Sequence, residues 1–421
     1  MQGNTKALVV GTTTDYIEWI RKSNPERALF LTDPTVRRGS QDPNPSPGEE
    51  ILCDLNDYGR VFDILPRYLS REGLRAGGVA CFDCESMELA ALLAQKFSLP
   101  YPSVLSVNSC RNKFLSKALW ERHKLLCPSA RLIRSMTDAM QFFRELGGTF
   151  VLKPISGSGS ELVFHCGSEG ECETNFHKIQ SGLLQRRTNR LYRAPAADPA
   201  ILAEAVVGGD EFSCDFIIEN GRVEVIRLTR KILSPQGPFG TARGYLLSSA
   251  LPDEIDEGNL LRTIYQSAAA LGINRAICML DFMIDHGRII LLELAPRPGG
   301  DCLPFLLRRC WNLDVLKLTL DFCEQRPFYL QKPSGSSNLF LGLRIHALND
   351  GILKRIDVHD LEKDSRVREI RFYRRPGQLV RMPPDDYDSW VLGHIIAELE
   401  CDREPQSQCE ELLGKISVEI E

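Results

Sequence analysis

The segment AICMLDFMIDHGRIILLELAPRPGGD, residues 276–301, is the most informative part of the sequence. Apolar β-formers flank a short polar segment, Asp285–Arg288, which contains a glycine, and this pattern predicts a β-hairpin. Asp281 and Glu293 interrupt the otherwise apolar strands, and each lies six residues from Gly287. A hairpin centred on Gly287 would place the two carboxylates opposite each other on one face of the sheet. A turn with an even number of residues would break that pairing.

Two facing carboxylates on an apolar face need a positive partner, because they repel each other and resist desolvation. A divalent cation meets that need, and hard oxygen ligands suit Mg²⁺, so Asp281 and Glu293 are predicted metal ligands. Arg297 follows Glu293 with the same parity and precedes a Pro-Gly-Gly turn, where it could meet an anion. The simpler alternative is a hairpin with two exposed acids and a basic loop.

The composition is that of an ordinary globular protein, since 43% of the 421 residues are hydrophobic and 25% are charged. The net charge of −5 gives no support for binding to nucleic acid or to an anionic membrane. We find no run of 18 apolar residues and no signal-peptide pattern. Fourteen scattered cysteines fit reduced thiols better than a disulfide framework, so we expect a cytoplasmic protein.

Strands alternate with helices over the first part of the chain, which predicts an open parallel α/β sheet in residues 1–105. Loops at the carboxyl ends of such strands commonly bind ligands, and Asp15, Asp33 and Asp83 fall there. A helix cap or a turn explains each of these aspartates more simply.

A second region, residues 106–330, begins with a predicted basic amphipathic helix from Asn108 to Pro128 and includes the hairpin. Residues 185–200 carry four arginines without core periodicity, and a substrate lid, a subunit contact or disorder would each explain them. The last region, residues 331–421, reads as short strands and turns before a final helix.

Lys153 ends a predicted strand and is soon followed by a loop of small residues, Ser156–Ser160. Glycines let backbone N–H groups approach a polyphosphate, serine hydroxyls add donors, and the lysine adds a compact positive charge. The loop is not a Walker A motif, and Leu162 replaces the last glycine of a dinucleotide fingerprint. A flexible surface hairpin explains it equally well.

Glu204 and Glu211 are seven residues apart near the end of another predicted strand. One carboxylate beside an apolar strand edge could accept a hydrogen bond from an adenine amino group, and the second could bind ribose hydroxyls. Taken alone, two solvated glutamates at a strand end are the simpler interpretation.

The order of these features resembles the ATP-grasp superfamily of carboxylate ligases, over roughly residues 105–325. The resemblance implies an α/β and α+β multidomain protein. Residues 1–105 would be the parallel α/β domain that precedes the ATP-grasp domain. Residues 106–330 would form the ATP-grasp fold, with nucleotide between two α+β subdomains, the smaller at about 130–205. Residues 331–421 would form a C-terminal β-rich lid.

The resemblance also implies roles for individual residues. Lys113 and Lys153 would bind the nucleotide phosphates, under a closing loop formed by Ser156, Gly157, Ser158, Gly159 and Ser160. Glu204, with the backbone of Ala205 and Val207, would bind adenine, and Glu211 the ribose. Asp281 and Glu293 would bind Mg²⁺, for which Mn²⁺ can substitute, and Arg297 would lie near the transferred phosphoryl group, with Lys153 as its catalytic partner. The predicted substrate residues are Arg243, Arg297, Gly299 and Gly300, although a structural salt bridge would explain Arg243 equally well.

The last motif departs from the pattern of many members, which read Glu-x-Asn-x-Arg with the asparagine as a metal ligand. Here Ala295 stands at that position, so either water replaces the ligand or a second Mg²⁺ is held more weakly. The form ELAPRPGGD and the region after residue 338 are similar to the branch of amino-acid ligases that makes dipeptides and related amides.

The resemblance implies a ligase that activates a carboxylate as an acyl phosphate with ATP and joins it to an amine. Its partners would be small-molecule carboxylates and amines, without nucleic acid or membrane, and a homodimer is compatible with it. A purine-biosynthesis ligase and a nucleotide-binding protein without ligase activity stay open as alternatives. An NAD-dependent oxidoreductase is disfavoured, because GxGxxG is absent after the first strand.

Overall fold

The structure is a computed structural model that describes residues 4–38, 40, 43–192, 201–234, 237–248, 251–252, 255–330 and 338–421. Within these residues the chain forms four sheets from nineteen strands, together with thirteen α-helices. None of the described helices is both long enough and apolar enough to cross a bilayer.

The N-terminal region is a four-stranded parallel sheet flanked by helices, which confirms the predicted α/β fold. Its first strand ends in a buried apolar run, residues 7–10, as expected for the part of a strand that is covered on both faces. The strands, in the spatial order β3-β2-β1-β4, are β1 (Asn4–Val10), β2 (Ala28–Thr32), β3 (Glu50–Leu52) and β4 (Leu74–Ala80). The helices are α1 (Thr14–Ser23), α2 (Pro34–Arg37), α3 (Tyr58–Arg71) and α4 (Met87–Phe97).

The single helix predicted for Asn108–Pro128 is instead two helices, α5 (Val104–Arg111) and α6 (Lys113–Arg122). Asn112 separates them with a backbone at φ −92° and ψ 99°, and its side chain caps α6 by accepting a hydrogen bond from the Leu115 N–H. This side-chain cap offers the backbone an alternative to a continuous helix. The break makes Lys113 the first residue of α6.

A smaller antiparallel sheet spans residues 130–205, the range predicted for a nucleotide subdomain. Two helices pack against it, and the core includes an edge-to-face pair of Phe142 and Phe150. The strands, in the order β5-β8-β6-β7, are β5 (Ala130–Ile133), β6 (Phe150–Pro154), β7 (Phe164–Cys166) and β8 (Ile201–Ala205). The helices are α7 (Met136–Glu145) and α8 (Glu169–Gln185), followed by a 3₁₀ turn at Arg190–Tyr192. The rest of the arginine-rich segment, 193–200, lies outside the described residues.

The largest sheet has eight antiparallel strands and continues across the predicted domain boundary at residue 330. In spatial order its strands are β13 (Arg288–Ala295), β12 (Arg275–Asp285), β9 (Asp210–Glu219), β10 (Arg222–Leu233), β11 (Ala242–Leu247), β14 (Leu339–His346), β18 (Val391–Leu399) and β16 (Val367–Phe372). The last sheet, in the order β17-β15-β19, contains β15 (Gly351–Asp357), β17 (Leu379–Val380) and β19 (Ser417–Ile420). The remaining helices are α9 (Glu257–Ala270), α10 (Leu303–Trp311), α11 (Val315–Cys323), α12 (His359–Glu362) and α13 (Pro405–Leu413).

The hairpin of β12 and β13 pairs Asp281 with Glu293, although its turn has an even number of residues. Asp285 pairs with Arg288 across a two-residue turn, and both turn residues have positive φ, 48° at His286 and 72° at Gly287. The register then shifts by one residue, because Leu292 forms a β-bulge between the pairs Phe282–Leu291 and Asp281–Glu293. The bulge therefore restores the pairing that the turn alone would have broken.

Candidate active site

A cavity of about 430 Å³ lies between the small sheet and the large sheet. Most of the residues predicted from the sequence line it. They are Lys113, Lys153, Gly157, Ser158, Gly159, Ser160, Glu204, Ala205, Val207, Glu211, Asp281, Glu293, Arg297 and Gly300. Three predicted residues, Ser156, Arg243 and Gly299, are not in this lining. Ser156 instead borders a much smaller neighbouring cavity beside Glu293 and Ala295.

Lys113 joins the loop of small residues to the predicted metal site. Its Nζ donates to the Gly157 carbonyl at 2.9 Å and lies 3.3 Å from Glu293 Oε1. The backbone N–H of Lys113 donates to the Ile155 carbonyl, so the start of α6 is fixed against the beginning of the same loop. One lysine thus contacts both parts of the site that the sequence assigned to phosphate and metal.

The residues at the end of the cavity fit a magnesium ion. Asp281 and Glu293 are direct cross-strand neighbours, and Asp281 Oδ1 is buried without a hydrogen-bond partner among the described residues. A buried carboxylate oxygen without a donor is costly, and a hard cation would satisfy it. The described part of the chain contains no cluster of three or more potential ligand side chains, so the protein would supply two carboxylates. Water and phosphate oxygens would supply the remaining ligands, as is usual for Mg²⁺.

Lys231 is a site residue that the sequence analysis missed. It lies on β10, and its Nζ is 2.6 Å from Glu211 Oε1 and 2.7 Å from Asp281 Oδ2. We call these three residues the acidic triple. Burial acts to lower the pKa of Lys231, but the two carboxylates outweigh it and raise the pKa above the ordinary value. The sequence offered no distinct signal for it, because β10 also contains Arg222, Glu224, Arg227 and Arg230.

Glu204 also has two partners, both lysines. Its Oε2 lies 2.6 Å from Lys153 Nζ, and its Oε1 lies 2.7 Å from Lys117 Nζ. We call these three residues the basic triple. Burial acts to raise the pKa of the Glu204 carboxyl, yet the two lysines hold it below its ordinary value. The Glu204 carboxylate thus orients Lys153, in addition to any contact it makes with adenine.

The part of the cavity near residues 205–207 is apolar and can accept a flat ring. Apolar side chains that line the cavity include Val151, Leu233, Met279, Met283 and Leu292. The Ala205 N–H donates to the Ser129 carbonyl at 2.9 Å, so a purine contact at this residue would use its carbonyl group.

The loop that was predicted to close over a triphosphate is held in place from outside the small sheet. Ser160 Oγ donates to the Gly240 carbonyl at 2.8 Å, which joins the loop to the segment before β11. The N–H of Leu162 donates to the hydroxyl of Tyr387 at 3.0 Å. Ser160 and Leu162 have φ values of 61° and 56°, a left-handed conformation that is uncommon for residues other than glycine. The loop therefore contacts the segment before β11, and the residue just after it contacts the C-terminal region.

Arg297 lies against Cys84 at the cavity wall. Its Nη2 and Nε donate to the sulfur at 2.9 and 3.2 Å, and Nη1 donates to the Pro298 carbonyl at 2.7 Å. Burial raises the pKa of the Cys84 thiol, against the opposite effect of the guanidinium. The arginine is thus held by neutral groups, and its charge is available to an anion in the cavity.

Gly299, predicted as a substrate residue, has a structural reason to be glycine. Its N–H donates to Asp215 Oδ1 at 3.0 Å, and a Cβ atom there would collide with the guanidinium of Arg227. Asp215 and Arg227 form a completely buried ion pair at 2.8 Å behind the cavity wall. The close approach of this pair is what requires a glycine here.

Arg344 lines the cavity, whereas Arg243, which was predicted as a substrate residue, does not. Arg243 is the extra residue at a bulge of β11, because Ile232 pairs with Gly244 and Leu233 with Ala242. Arg344, on β14, donates from Nε to the carboxylate of Asp301 and from Nη1 to the Ala242 carbonyl at 3.1 Å. Both Arg344 and Asp301 border the cavity. A charged residue within the apolar run of β14 was the available signal.

Comparison with known proteins agrees with the fold. Residues 146–304 match the model of the ATP-grasp domain family. The chain is 28% identical over 213 residues to a D-alanine–D-alanine ligase of Acidovorax ebreus, an alignment that spans 48% of this chain and 58% of the ligase. It is 23% identical over 400 residues to the uncharacterized protein y4rH of Sinorhizobium fredii, spanning 93% of this chain and 77% of that protein.

A solved structure shows the same fold over the whole length. The L-amino acid ligase from Bacillus licheniformis superimposes with a TM-score of 0.81 at 18% identity, and the match covers 100% of both chains. The resemblance in fold therefore includes the N-terminal sheet and the C-terminal region as well as the ATP-grasp domain.

Proposed function

We propose that this protein is an ATP-dependent ligase that joins a carboxylate to an amine through an acyl phosphate and releases ADP and phosphate. The observation that carries the proposal is a cavity that brings lysines and paired carboxylates together in the region that matches the ATP-grasp domain family. Such a site can neutralise a polyphosphate at one end and hold a divalent cation at the other.

Phosphoryl transfer to a carboxylate depends mostly on positioning and on charge neutralisation. Lys113, Lys153, Lys231 and Arg297 border the cavity and would contact phosphate oxygens. Asp281 and Glu293 would hold Mg²⁺, which would supply charge neutralisation for the phosphate groups. Manganese, which also prefers oxygen ligands, would fit the same pair of carboxylates.

The loop at residues 156–160 would exclude water during the reaction, since water would otherwise hydrolyse the acyl phosphate. Its residues 157–160 border the cavity, and Lys113 links Gly157 to Glu293. Closure of the loop would bring its backbone N–H groups to the phosphates.

Arg344 and Asp301 support an amino acid as the substrate. A guanidinium binds a carboxylate through two parallel hydrogen bonds, and a carboxylate binds an ammonium group. The two side chains are neighbours and both face the cavity, so together they match the two charges of a zwitterion. The apolar floor near Leu303 and Tyr245 would contact the side chain of the substrate.

Most of the fourteen cysteines are buried, and scattered buried thiols support a reducing compartment such as the cytoplasm. The homodimer stays a prediction.

The experiment that tests the proposal is phosphate release from Mg·ATP with single and paired amino acids and other small carboxylates. We expect release only with particular acid–amine pairs, and a product whose mass equals their sum minus water. Arg344→Met should raise the KM for the amino acid at least about 10-fold, as expected for loss of a charged hydrogen bond. Arg243→Met is the matched control, because this arginine is outside the cavity lining. Tight Mg·ATP binding without release from any pair would favour a nucleotide-binding protein that is not a ligase.

A further inference from the structure

Lys117 is a buried lysine that no motif explains. It lies on α6 one helical turn after Lys113, and only 1% of its surface is exposed. Lysines are rarely buried to this extent without partners. Its Nζ lies 2.7 Å from Glu204 Oε1 and donates to the Leu292 carbonyl at 3.0 Å.

These two contacts join parts of the protein that are separate in the fold. Glu204 is on β8 of the small sheet, where its other oxygen binds Lys153. Leu292 is the bulge residue of β13 in the large sheet, and that bulge is what places Asp281 opposite Glu293. A single ammonium group therefore contacts the residue that orients a phosphate lysine and the residue that sets the register of the metal ligands.

The charges of the basic triple are consistent with this role. Two lysines and one glutamate carry a net charge of +1, and the carboxylate and the Lys117 ammonium are almost fully buried. Breaking a buried ion pair by removing one partner leaves an uncompensated charge, and this is strongly destabilising. The Leu292 carbonyl takes one donor of Lys117, which would otherwise be unsatisfied beside an apolar core. The excess positive charge is exposed to the cavity only at Lys153, where a polyphosphate would meet it.

We propose that Lys117 is a positioning residue that couples the nucleotide-binding sheet to the metal-binding hairpin. The proposal rests on the proposed function only in assuming that the cavity binds nucleotide with Mg²⁺. The Lys117 ammonium group holds Glu204 in place, and Glu204 in turn holds Lys153. The same group anchors the bulge that keeps Asp281 and Glu293 paired.

The test is nucleotide binding by titration calorimetry, which needs no knowledge of the acid and amine. ADP is titrated with and without Mg²⁺ into the wild type and into Lys117→Met. We expect the Kd for Mg·ADP to rise by about 10- to 100-fold, the range for loss of a charged hydrogen bond. We also expect the ratio of the Kd values without and with Mg²⁺ to fall toward 1, because the metal ligands lose their register.

Arg27→Met is the matched control. Arg27 is also a cation between two carboxylates, at 2.8 Å from Asp321 and in contact with Glu324; 18% of its side chain is exposed, and it is not part of the cavity lining. This variant should lower the melting temperature without changing the Kd for Mg·ADP or the effect of Mg²⁺. If the role of Lys117 were purely structural, Lys117→Met would also lower the melting temperature without changing the Kd for Mg·ADP or the effect of Mg²⁺.

The double variant Lys117→Met/Glu204→Gln keeps the test decisive if Lys117→Met does not fold, because it removes the uncompensated carboxylate as well. It should fold and still show the reduced effect of Mg²⁺, since the Leu292 carbonyl lacks its donor. A folded variant of either kind with the wild-type Mg²⁺ effect would overturn the proposal. Absence of Mg·ADP binding in the wild type would overturn it together with the proposed function, whereas binding without turnover would remove only the ligase.

Discussion

The basic triple and the acidic triple border the same cavity with the same kinds of residue but opposite stoichiometry. In the basic triple one glutamate lies between two lysines, with Glu204 at 2.7 Å from Lys117 and 2.6 Å from Lys153. In the acidic triple one lysine lies between two acids, with Lys231 at 2.6 Å from Glu211 and 2.7 Å from Asp281. The first carries a net charge of +1 and the second a net charge of −1.

Under the proposed function, this difference would prepare one cavity for both parts of a metal–nucleotide complex. A buried group with excess positive charge is stabilised by a phosphate, and one with excess negative charge by a cation. Neither triple is electrically neutral. A phosphate group would stabilise the basic triple and be repelled by the acidic triple, and a cation would do the reverse. Fully balanced pairs elsewhere, such as Asp215 with Arg227, have no such unmet charge and act in packing.

The most damaging change should be removal of a metal ligand beside the acidic triple. We expect Glu293→Gln to reduce turnover by about 10³-fold, because a neutral amide binds Mg²⁺ poorly and metal-based charge neutralisation is lost. Steady-state phosphate release and the melting temperature should be measured together. Glu219→Gln is the matched control, since that glutamate pairs with Arg275 away from the cavity. Near-normal turnover in a folded Glu293→Gln protein would remove the metal assignment.

The next largest effect should come from the basic triple. Lys153→Met should raise the KM for ATP by about 10- to 100-fold, since a charge-assisted contact to phosphate is lost and Glu204 loses a partner. Lys178→Met, in the same subdomain but outside the cavity lining, should leave the KM unchanged. An unchanged KM in Lys153→Met would show that the positive charge of this triple does not face the nucleotide.

A smaller and opposite effect is expected at Lys231. Replacing it by glutamine leaves Asp281 and Glu211 without the cation between them, so the nucleotide-free protein should be less stable. Added Mg²⁺ should then raise the melting temperature of Lys231→Gln by about 2–4 °C more than that of the wild type, because a cation replaces the lost ammonium. The measurement is thermal unfolding with Mg²⁺ or EDTA. Equal shifts in both proteins would mean that Mg²⁺ does not bind at this triple.

The smallest effect concerns a buried group outside both triples. His394 is buried, with its Nδ1 at 2.5 Å from the Tyr373 hydroxyl, and burial lowers its pKa to about 4. In the unfolded protein His394 binds a proton more readily than in the folded protein. The contribution of the neutral, buried His394 to stability is therefore complete above the ordinary pKa of 6.5 and is lost as pH falls toward 4. His394→Gln should reduce the fall in melting temperature between pH 6.5 and 4.5 by about 2–4 °C. An unchanged pH dependence would show that other groups control acid unfolding.

Much of the site could be predicted from the sequence, because its residues interrupt apolar strands at recognisable spacings. Asp281 and Glu293 were predicted to pair, and they do. The bulge at Leu292 could not be predicted, and the groups that contact this part of β13 lie far away in the chain: Lys117 donates to the Leu292 carbonyl, and the Leu291 N–H donates to the Leu126 carbonyl. The sequence also gave no indication that Asn112 would end one helix and begin another.

The residues that were missed owe their roles to long-range strand order. Lys231 on β10 contacts Asp281 on β12 across β9, which lies between these two strands in the sheet. The sequence does not reveal this strand order. Arg344 enters the cavity because β14 lies beside β11, although the two strands are about ninety residues apart. The sequence analysis assigned substrate binding to Arg243 instead. Ala242 lines the cavity, whereas Arg243 is the extra residue of the bulge in β11 and is not in the lining.

The contact between Leu162 and Tyr387 has a consequence for how the protein is made. The Leu162 N–H has its acceptor 225 residues later in the chain. At the usual rate of synthesis the ribosome needs on the order of 10–45 s to cover that distance. A nascent chain that has not yet reached residue 387 therefore lacks this hydrogen bond, which holds the residue just after the 156–160 loop. This is so even when the small sheet is already complete. The residues that follow this loop thus acquire their final contacts only near the end of translation.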